Sequence, residues 1–404
     1  MTQILHVSDT HLDKRQYGQD LRRADFADAF DASVDIAIDE GVDAVIHTGD
    51  LFDDPTPSVP AVNRCLDTIG RLEDAGIPFL AIVGNHERKR EEQWMDIIKR
   101  FGNAKRLSKS PTVVTDANGD DPVSVYGIDA IRSPEWDGYD FTLGESESND
   151  HVTILCMHEL VQPLVPEHRG DPYDLSEDIL DRLNFLPTAL ALGDYHSTCN
   201  DTVDGVKVFY PGATERCKVS ERGTPSVYLL NIQDGELSRK TRAISTAGRE
   251  NVPRPFLTVN IDFDETHSLD HAATRIDEDA GGMNDDISDM VVVARLTGAN
   301  VGVTAKDVYD LMAEREVAVP YVDDKRQPDV DFDFDFDDEQ TESQNPDKML
   351  DDAVGGLEIS TITTEADDLV RDDTVDDDDI RPEMNTHIRT EQKEQFGEAT
   401  LEER

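Results

Sequence analysis

A repeated pattern constrains the fold more than any other feature of the chain: short apolar runs that stop at a polar turn. Val45 and Ile46 lead into Thr48-Gly49-Asp50, and similar runs lead into Asp9 and Asn85. Apolar runs of this length predict buried strands, and the amphipathic stretches between them predict helices. Strands that alternate with helices form parallel sheets, whose carboxyl ends meet at one edge. The pattern therefore predicts an α/β fold with polar side chains gathered at that edge.

Five strand ends in the first half of the chain carry carboxylate, amide or imidazole groups. They are Asp9 with His11, Asp50, Asn85 with His86, His158, and Asp194 with His196. One such turn ends many ordinary strands, but five in order indicate a site for two metal ions. Asp50 is the expected bridge, because each oxygen of a carboxylate can hold one cation. His6 falls inside a strand and His47 precedes the Thr-Gly-Asp turn, and both are predicted to be packed groups that support the ligands.

The charge of the chain is extreme. Its 404 residues include 38 Lys and Arg against 88 Asp and Glu, a formal net charge of −50. The acids are spread through the predicted helices, which favours a protein of molar salt, where the Debye length falls to roughly 3 Å. An acidic mesophilic protein with a disordered tail is the alternative. The absence of a signal peptide and of long apolar runs predicts a soluble, cytoplasmic protein that does not enter a membrane.

The length predicts more than one domain. The strand and helix pattern occupies residues 1–245, and it restarts as a small α+β domain over residues 250–322. From 323 to 404 acidic residues dominate, which predicts a largely disordered tail. Spaced Leu and Ile within 349–370 predict a segment that folds onto a partner, because a tail that only confers solubility would not need them. A solvated linker is the alternative.

These motifs resemble those of the calcineurin-like metallophosphoesterases. The family pattern of DxH, GDxxD, GNH[DE], a lone His and GHxH is matched by Asp9-Thr10-His11, Gly49-Asp50-Leu51-Phe52-Asp53, Gly84-Asn85-His86-Glu87, His158 and Gly193-Asp194-Tyr195-His196. The resemblance implies a four-layer α/β/β/α sandwich followed by a small α+β capping domain. Asp194 is the one departure, since the family has His at this position. Its harder oxygen is expected to shift the preference toward Mn²⁺ or Mg²⁺.

A narrower resemblance, to the archaeal Mre-eleven-type and bacterial SbcD-type DNA nucleases, covers residues 1–230. It rests on Arg22-Arg23-Ala24-Asp25-Phe26, the Gly-Asp-Leu-Phe-Asp turn, the Ile82 to Arg88 stretch, and Tyr210 to Arg216. The resemblance implies a nuclease of DNA double-strand break repair, with 3′–5′ exonuclease activity on double strands and endonuclease activity on single strands. It also implies a homodimer and a Rad-fifty-type ATPase partner that binds the tail.

The same resemblance implies a role for each residue of the site. One Mn²⁺ ion, with Mg²⁺ as a substitute, would be held by Asp9, His11, Asp50 and His196, and a second by Asp50, Asn85, His158 and Asp194. His86 would be the catalytic donor to the leaving 3′ oxygen rather than a ligand. The DNA-binding residues are expected to be Arg88, Lys89, Arg90 and Arg216. For the basic triplet, a salt-bridged helix start with Glu91 and Glu92 is the alternative.

Two other functions remain open at this point. A small-substrate phosphoesterase, such as a nucleotidase or a cyclic-nucleotide diesterase, would use the same metal centre. Such an enzyme needs neither a capping domain nor a partner-binding tail, which counts against it. A metal-free scaffold of the same fold is the other possibility, and the nearly complete set of ligands argues against it.

Overall fold

The computed structural model describes residues 1–90, 92–100, 103–146, 148, 151–166, 172–221, 223–247, 252–281 and 287–326. From residue 327 onward the predicted tail, with its proposed partner-binding segment 349–370, lies outside the described residues. Residues Met1–Val330 form one compact unit. Across the described ranges, no helix is long and apolar enough to cross a bilayer.

Two six-stranded sheets form most of this unit. In spatial order, the first contains β14 (Glu236–Ala243), β13 (Ser226–Gln233), β1 (Thr2–Val7), β2 (Ala44–Thr48), β3 (Phe79–Ile82) and β4 (Ala104–Arg106). The second contains β11 (Cys199–Val203), β12 (Val206–Tyr210), β10 (Ala189–Gly193), β7 (Val152–His158), β6 (Val123–Gly127) and β5 (Thr112–Val114). The inner strands β1 to β3, and β6, β7, β10 and β12, run parallel. A separate pair is formed by β8 (Val161–Gln162) and β9 (Tyr173–Asp174).

Alternation of apolar side chains explains the layers. Ile46 of the first sheet and Ile154 of the second belong to one shared core between the sheets. The neighbouring Val45 points the other way, into a core formed with α1 (Asp20–Glu40) and α2 (Val59–Asp74). Because successive strand residues face opposite sides, one run of apolar residues supplies both cores.

The outer face of the second sheet has a different cover. Short helical turns lie there instead of long helices: α4 (Ser133–Trp136), a π-helical turn at Leu175–Ile179 and a 3₁₀ turn at Leu180–Arg182. A further short helix, α3 (Trp94–Ile98), precedes β4. The predicted four-layer α/β/β/α arrangement is confirmed, with a thinner fourth layer than the first.

Local signals define the ends of the two long helices. At the C-terminus of α1, Gly41 adopts a left-handed conformation with φ 64°, as expected for a residue that must turn the chain out of a helix. At the N-terminus of α2, the Ser58 side chain accepts a hydrogen bond from the backbone N–H of Ala61. Such a cap satisfies a backbone donor that has no partner inside the helix.

A small parallel sheet follows, in the order β15 (Phe256–Phe263), β16 (Val291–Gly298) and β17 (Val319–Asp324). Its helices, α5 (Leu269–Gly281) and α6 (Ala305–Glu314), pack on one face. The other face carries Tyr321, whose ring stacks on that of Tyr17 with centroids 4.1 Å apart. We call these three strands and two helices the small sheet. Their elements occur in the predicted order, and the domain boundaries drawn from the sequence stay a prediction.

The strand pairing brings the five polar turns together. Thr48, two residues before Asp50, pairs with Ile82 of β3, and Gly193, just before Asp194, pairs with His158. Parallel strands in register end at the same edge, so their turns are neighbours.

Candidate metal centre

Three glycines allow the turns to approach one another closely. A Cβ on Gly84 would lie 2.1 Å from Oδ1 of Asp50. A Cβ on Gly193 would lie 2.6 Å from Nδ1 of His158, and one on Gly49 would lie 2.5 Å from the same atom. Side chains larger than hydrogen would therefore separate the strands that carry the polar residues.

Four of the predicted ligands have a backbone conformation that L residues rarely adopt. The φ angles are 52° at Asp9, 44° at His11, 56° at Asp50 and 81° at Asp194. Residues other than glycine are uncommon in this region, and each costs of order 1–3 kcal/mol unless its surroundings hold it there. The turns thus hold these side chains in one orientation at the expense of local strain.

The first predicted ligand group comes together around two imidazoles. Nε2 of His11 is 3.2 Å from Nε2 of His196 and 3.8 Å from Oδ2 of Asp50. Nε2 of His196 is 3.8 Å from Oδ1 of Asp9. Donor atoms of Asp9, His11 and Asp50 all lie within 4.8 Å of one another. One cation could contact all of them, since carboxylate and imidazole donors suit Mn²⁺.

The second predicted group centres on His158. Its Nε2 is 3.3 Å from Oδ2 of Asp50 and 3.9 Å from Oδ1 of Asp194. The same Asp50 oxygen therefore lies between the two groups. Asn85 is exposed directly after Gly84, and the next residue, His86, donates its backbone N–H to Oδ1 of Asp50 at 3.0 Å. The amide of Asn85 thus belongs to a turn that is fastened to the central carboxylate.

Two buried atoms at this point fit a bound cation. Oδ2 of Asp50 and Nε2 of His158 are buried and accept or donate no hydrogen bond in the described part of the chain. An unpaired buried polar atom costs ~1–3 kcal/mol. Nδ1 of His158 donates to the carbonyl oxygen of Thr48 at 2.7 Å, and Nδ1 of His196 faces Oε1 of Glu221 at 2.7 Å. These partners leave Nε2 of each ring available to a metal.

The electrostatics also favour a cation. Burial, reinforced by the nearby Asp9 and Asp50 carboxylates, raises the pKa of Asp194. Burial alone would lower the pKa of His158, but the facing Asp50 carboxylate outweighs it and holds that pKa well above its usual value. The crowded carboxylates therefore favour the protonated forms of Asp194 and His158. A metal ion would replace those protons, so its affinity is expected to rise with pH.

His6 and His47 support the centre as neutral groups. Nε2 of His6 is 3.0 Å from Oγ1 of Thr48, and Nε2 of His47 is 3.1 Å from Oγ1 of Thr10. Both rings are fully buried, and burial lowers each pKa to about 3. They are packed groups, as the sequence predicted.

His86 and the next residue have opposite surroundings. The His86 side chain is 45% exposed, and its Nδ1 donates to the carbonyl oxygen of Asp53 at 3.1 Å. Its ring meets the edge of the His11 ring with centroids 4.9 Å apart. Glu87 is buried and accepts from the backbone N–H groups of Gly84 and Phe52. Burial raises the pKa of Glu87 to about 7. Glu87 therefore stabilises the turn through its backbone hydrogen bonds, and the His86 side chain lies exposed at the rim of the centre.

The residues predicted to bind DNA differ in how many contacts their side chains already make within the protein. Arg90 is exposed, whereas Nη1 of Arg88 donates to a backbone carbonyl at 2.5 Å. Nζ of Lys89 lies 4.6 Å from the centre of the Trp94 ring. The Arg216 guanidinium lies 5.3 Å from the Phe256 ring, and its Nη2 donates to the carbonyl oxygen of Gly223 at 3.2 Å. Arg216 thus has a structural role at the small sheet, and DNA contact by all four residues stays a prediction.

The sequence did not identify three groups beside the centre. Glu221 orients His196, and Oδ1 of Asp53 lies 3.1 Å from Nδ1 of His11. Cys217 lies close to both imidazoles, but burial raises the pKa of its thiol, which makes it a poor ligand. The GDxxD spacing was the only signal for Asp53, and no motif marks Glu221.

Comparisons with known proteins identify the family of the chain. Residues 2–198 match the calcineurin-like phosphoesterase family. The chain is 33% identical over 390 residues to a "DNA double-strand break repair protein Mre11" of Haloferax volcanii, covering 96% of this chain and 82% of the relative. A Halobacterium salinarum protein of the same name is 33% identical over 391 residues, covering 94% and 92%. Among solved structures, TT1561 of Thermus thermophilus is 16% identical and covers 60% of this chain and 99% of its own, with a TM-score of 0.38.

Proposed function

Because this chain belongs to the Mre11 family of calcineurin-like phosphoesterases, we propose that it is a DNA nuclease of double-strand break repair. One observation carries the proposal. Oδ2 of Asp50, buried and without a hydrogen-bond partner in the described chain, lies 3.8 Å from His11 and 3.3 Å from His158. A carboxylate in this position would be able to serve both groups of ligands, and two cations held there would be suited to hydrolysis of a phosphodiester.

The donor set fits Mn²⁺, with Mg²⁺ as a substitute. Asp9, His11, Asp50 and His196 would hold one ion, and Asp50, Asn85, His158 and Asp194 the other. When bound, the ions would stabilise charge on the phosphate and make water more acidic. Oxygen donors outnumber imidazoles in the second group because Asp194 stands where the family's GHxH pattern has its first His. Such a set favours harder cations.

The residues around the ligands then have separate tasks. Thr48 and Glu221 fix the rings of His158 and His196, so that little reorganisation is needed when substrate arrives. His86 is the catalytic residue in this proposal. Its Nδ1 is held by the Asp53 carbonyl, which leaves Nε2 to meet a substrate oxygen at the exposed rim. Protonated at Nε2, it would donate to the leaving 3′ oxygen.

The proposal extends beyond the centre. DNA is the substrate class that the relatives' name supports. The exonuclease and endonuclease activities, a homodimer, a Rad-fifty-type ATPase partner and a cytoplasmic location rest on the resemblance of the sequence. The net charge of −50 supports work in molar salt, where self-repulsion is screened.

The test uses the full chain in molar KCl with Mn²⁺. Labelled duplex and single-stranded DNA are compared with bis-para-nitrophenyl phosphate, mononucleotides and cyclic nucleotides, with and without EDTA. We expect Mn²⁺-dependent cleavage of DNA that disappears in EDTA and in Asp50→Asn. Hydrolysis of mononucleotides or cyclic nucleotides without any cleavage of DNA would favour the small-substrate phosphoesterase instead.

A further inference from the structure

A cavity of about 650 Å³ lies at the β4 edge of the first sheet, outside the metal centre. The strand β4, the segment just after β6 and the ring of Tyr139 bound it. Cations dominate its polar lining, which contains Lys99, Lys105, Arg106 and Lys109 against Asp96 and Asp129. Its volume falls within the ~300–1,000 Å³ typical of sites for small ligands.

The segment that supplies most of the cations of this cavity has a charge opposite to that of the chain as a whole. Residues 88–109 contain eight Lys and Arg and three Asp and Glu, within a chain whose net charge is −50. A polyanion is repelled by most of such a surface and attracted by this segment. The segment begins two residues after His86, so the favourable field starts at the rim of the metal centre.

Hydrogen bonds connect the cavity wall to the centre. Oδ1 of Asp129 accepts from the backbone N–H of Val83 at 2.8 Å, two residues before Asn85. Oδ2 of the same carboxylate pairs with Arg106 in the cavity lining. One residue beyond Asp129, the carbonyl oxygen of Ala130 accepts from Arg88. The wall of the cavity and the turn that carries His86 are therefore parts of one hydrogen-bonded structure.

The lysines at the cavity are available to an anion. Lys105 is exposed and has no ion pair within the described residues. Lys99 pairs with Asp96 at 2.8 Å, and Lys109 pairs with the Asp140 carboxylate at 2.9 Å and donates to the Asp140 carbonyl oxygen at 2.8 Å. Ion pairs at the surface contribute only ~0–1 kcal/mol, so a phosphate can exchange for either acid at small cost.

The cavity also offers an aromatic surface. The Tyr139 ring is half-buried, held edge-on by Phe141 with centroids 5.1 Å apart. Nζ of Lys109 lies 5.6 Å from the centre of the Tyr139 ring. Aromatic rings beside cations bind single-stranded nucleic acid, because each base can stack while its phosphates meet positive charge.

We propose that this cavity is a subsite for one unpaired nucleotide of a single-stranded DNA segment whose scissile phosphate lies at the metal centre. Its base stacks on Tyr139, and the flanking phosphates contact Lys99, Lys105 and Lys109. The inference rests on the proposed nuclease function and adds to it a preference for a strand that is unpaired at this position. A base within a duplex cannot stack on Tyr139 without leaving its partner.

The test compares the double variant Lys105→Glu/Lys109→Glu, the single variant Tyr139→Leu, and the control Lys240→Glu/Lys306→Glu. The control makes the same change of charge on β14, at the opposite edge of the first sheet, and on α6. Cleavage of an oligothymidylate and hydrolysis of bis-para-nitrophenyl phosphate are measured with each protein. Binding of the labelled oligothymidylate in EDTA is measured across a series of KCl concentrations.

We expect the lysine variant to lower the ratio of oligothymidylate cleavage to small-diester hydrolysis at least tenfold, through KM. Its slope of log affinity against log salt should be shallower by ~0.7 for each phosphate that the variant no longer neutralises. Tyr139→Leu should weaken binding about tenfold. Ratios and slopes equal to those of the control would overturn the subsite alone. A wild-type protein that hydrolyses the small diester but neither binds nor cleaves oligothymidylate would overturn the proposed function and the subsite together.

Discussion

The guanidinium of Arg254 forms two hydrogen bonds with the carboxylate of Asp25, Nε to Oδ2 at 2.6 Å and Nη2 to Oδ1 at 2.7 Å. Both side chains are buried. Arg22, also buried, lies 2.8 Å from Oδ2 of Asp25 and 3.3 Å from Oε1 of Glu215. The positive charges of Arg22 and Arg254 thus balance the negative charges of Asp25 and Glu215. The cluster lies between α1 and the segment that leads into β15. This cluster joins the small sheet to the two large ones.

Arg254→Met should lower the free energy of unfolding by ~3–5 kcal/mol, because it leaves the buried carboxylates of Asp25 and Glu215 with less positive charge. Arg275→Met, which removes an exposed pair with Glu278 on α5, should change it by less than ~1 kcal/mol. Urea unfolding at constant KCl compares the two variants with the wild type. Equal effects of the two substitutions would contradict the importance of the buried cluster.

Gly84→Ala should abolish tight binding of metal at the centre. Its new Cβ would lie 2.1 Å from Oδ1 and 2.2 Å from the backbone nitrogen of Asp50, so the central carboxylate must move. Gly70→Ala is the matched control, because nothing lies within 4 Å of its Cβ in α2, and it should stabilise the protein by ~0.5–1 kcal/mol. Metal content after equilibrium dialysis against Mn²⁺ distinguishes them. Full metal content in Gly84→Ala would be the contrary result.

Asp194→His should change metal preference rather than abolish binding. The imidazole replaces an oxygen donor by nitrogen, which favours Zn²⁺ and Co²⁺ over Mn²⁺ and Mg²⁺. Competition dialysis with Mn²⁺ and Zn²⁺ together, followed by elemental analysis, measures the ratio of bound metals for each protein. The ratio of zinc to manganese should rise at least tenfold in the variant, and an unchanged ratio would exclude Asp194 from the ligands.

His86→Ala should retain metal and lose hydrolysis. Removal of a general acid typically lowers kcat by ~10²–10⁴-fold. The substitution His267→Ala, before α5 in the small sheet, is the control and should leave kcat unchanged. DNA cleavage and metal content are both measured, since loss of manganese from His86→Ala would make the residue a ligand instead of a donor.

His6 should make stability depend on pH. Burial lowers its pKa from the usual 6.5 to about 3, so between these values the folded chain binds fewer protons than the unfolded chain. The free energy of unfolding must then fall as the pH falls through this window, by at most ~1.4 kcal/mol per pH unit from this residue. His6→Asn should have a correspondingly shallower slope. Urea unfolding in EDTA from pH 4 to 7 measures it, and parallel curves for the two proteins would refute the assignment.

Much of this arrangement could be predicted because the predicted ligands lie at the carboxyl ends of five strands. The short apolar run and the polar turn that follows it, as in Ile46 and Asp50, are close in sequence. Parallel pairing then brings the five strand ends together. The resemblance to the calcineurin-like metallophosphoesterases, drawn from those turns, is confirmed by the match over residues 2–198.

Other contacts leave no local signal. Glu221 reaches His196 from 25 residues away, and Arg254 reaches Asp25 across 229 residues. Neither spacing follows a helix or strand period, so only the folded chain identifies these pairs. DNA contact by Arg216 stays a prediction, and nothing in its sequence position indicated that its guanidinium would lie 5.3 Å from the Phe256 ring of the small sheet.

The neighbours of β1 have a consequence for synthesis. This strand, which delivers Asp9 and His11, is paired on one side by β2 and on the other by β13, more than 200 residues later. The remaining ligands are spread up to His196. Until β13 has been synthesised, a nascent chain lacks the strand that encloses the first of the predicted ligands. The predicted metal centre can therefore be completed only after β13 has been made.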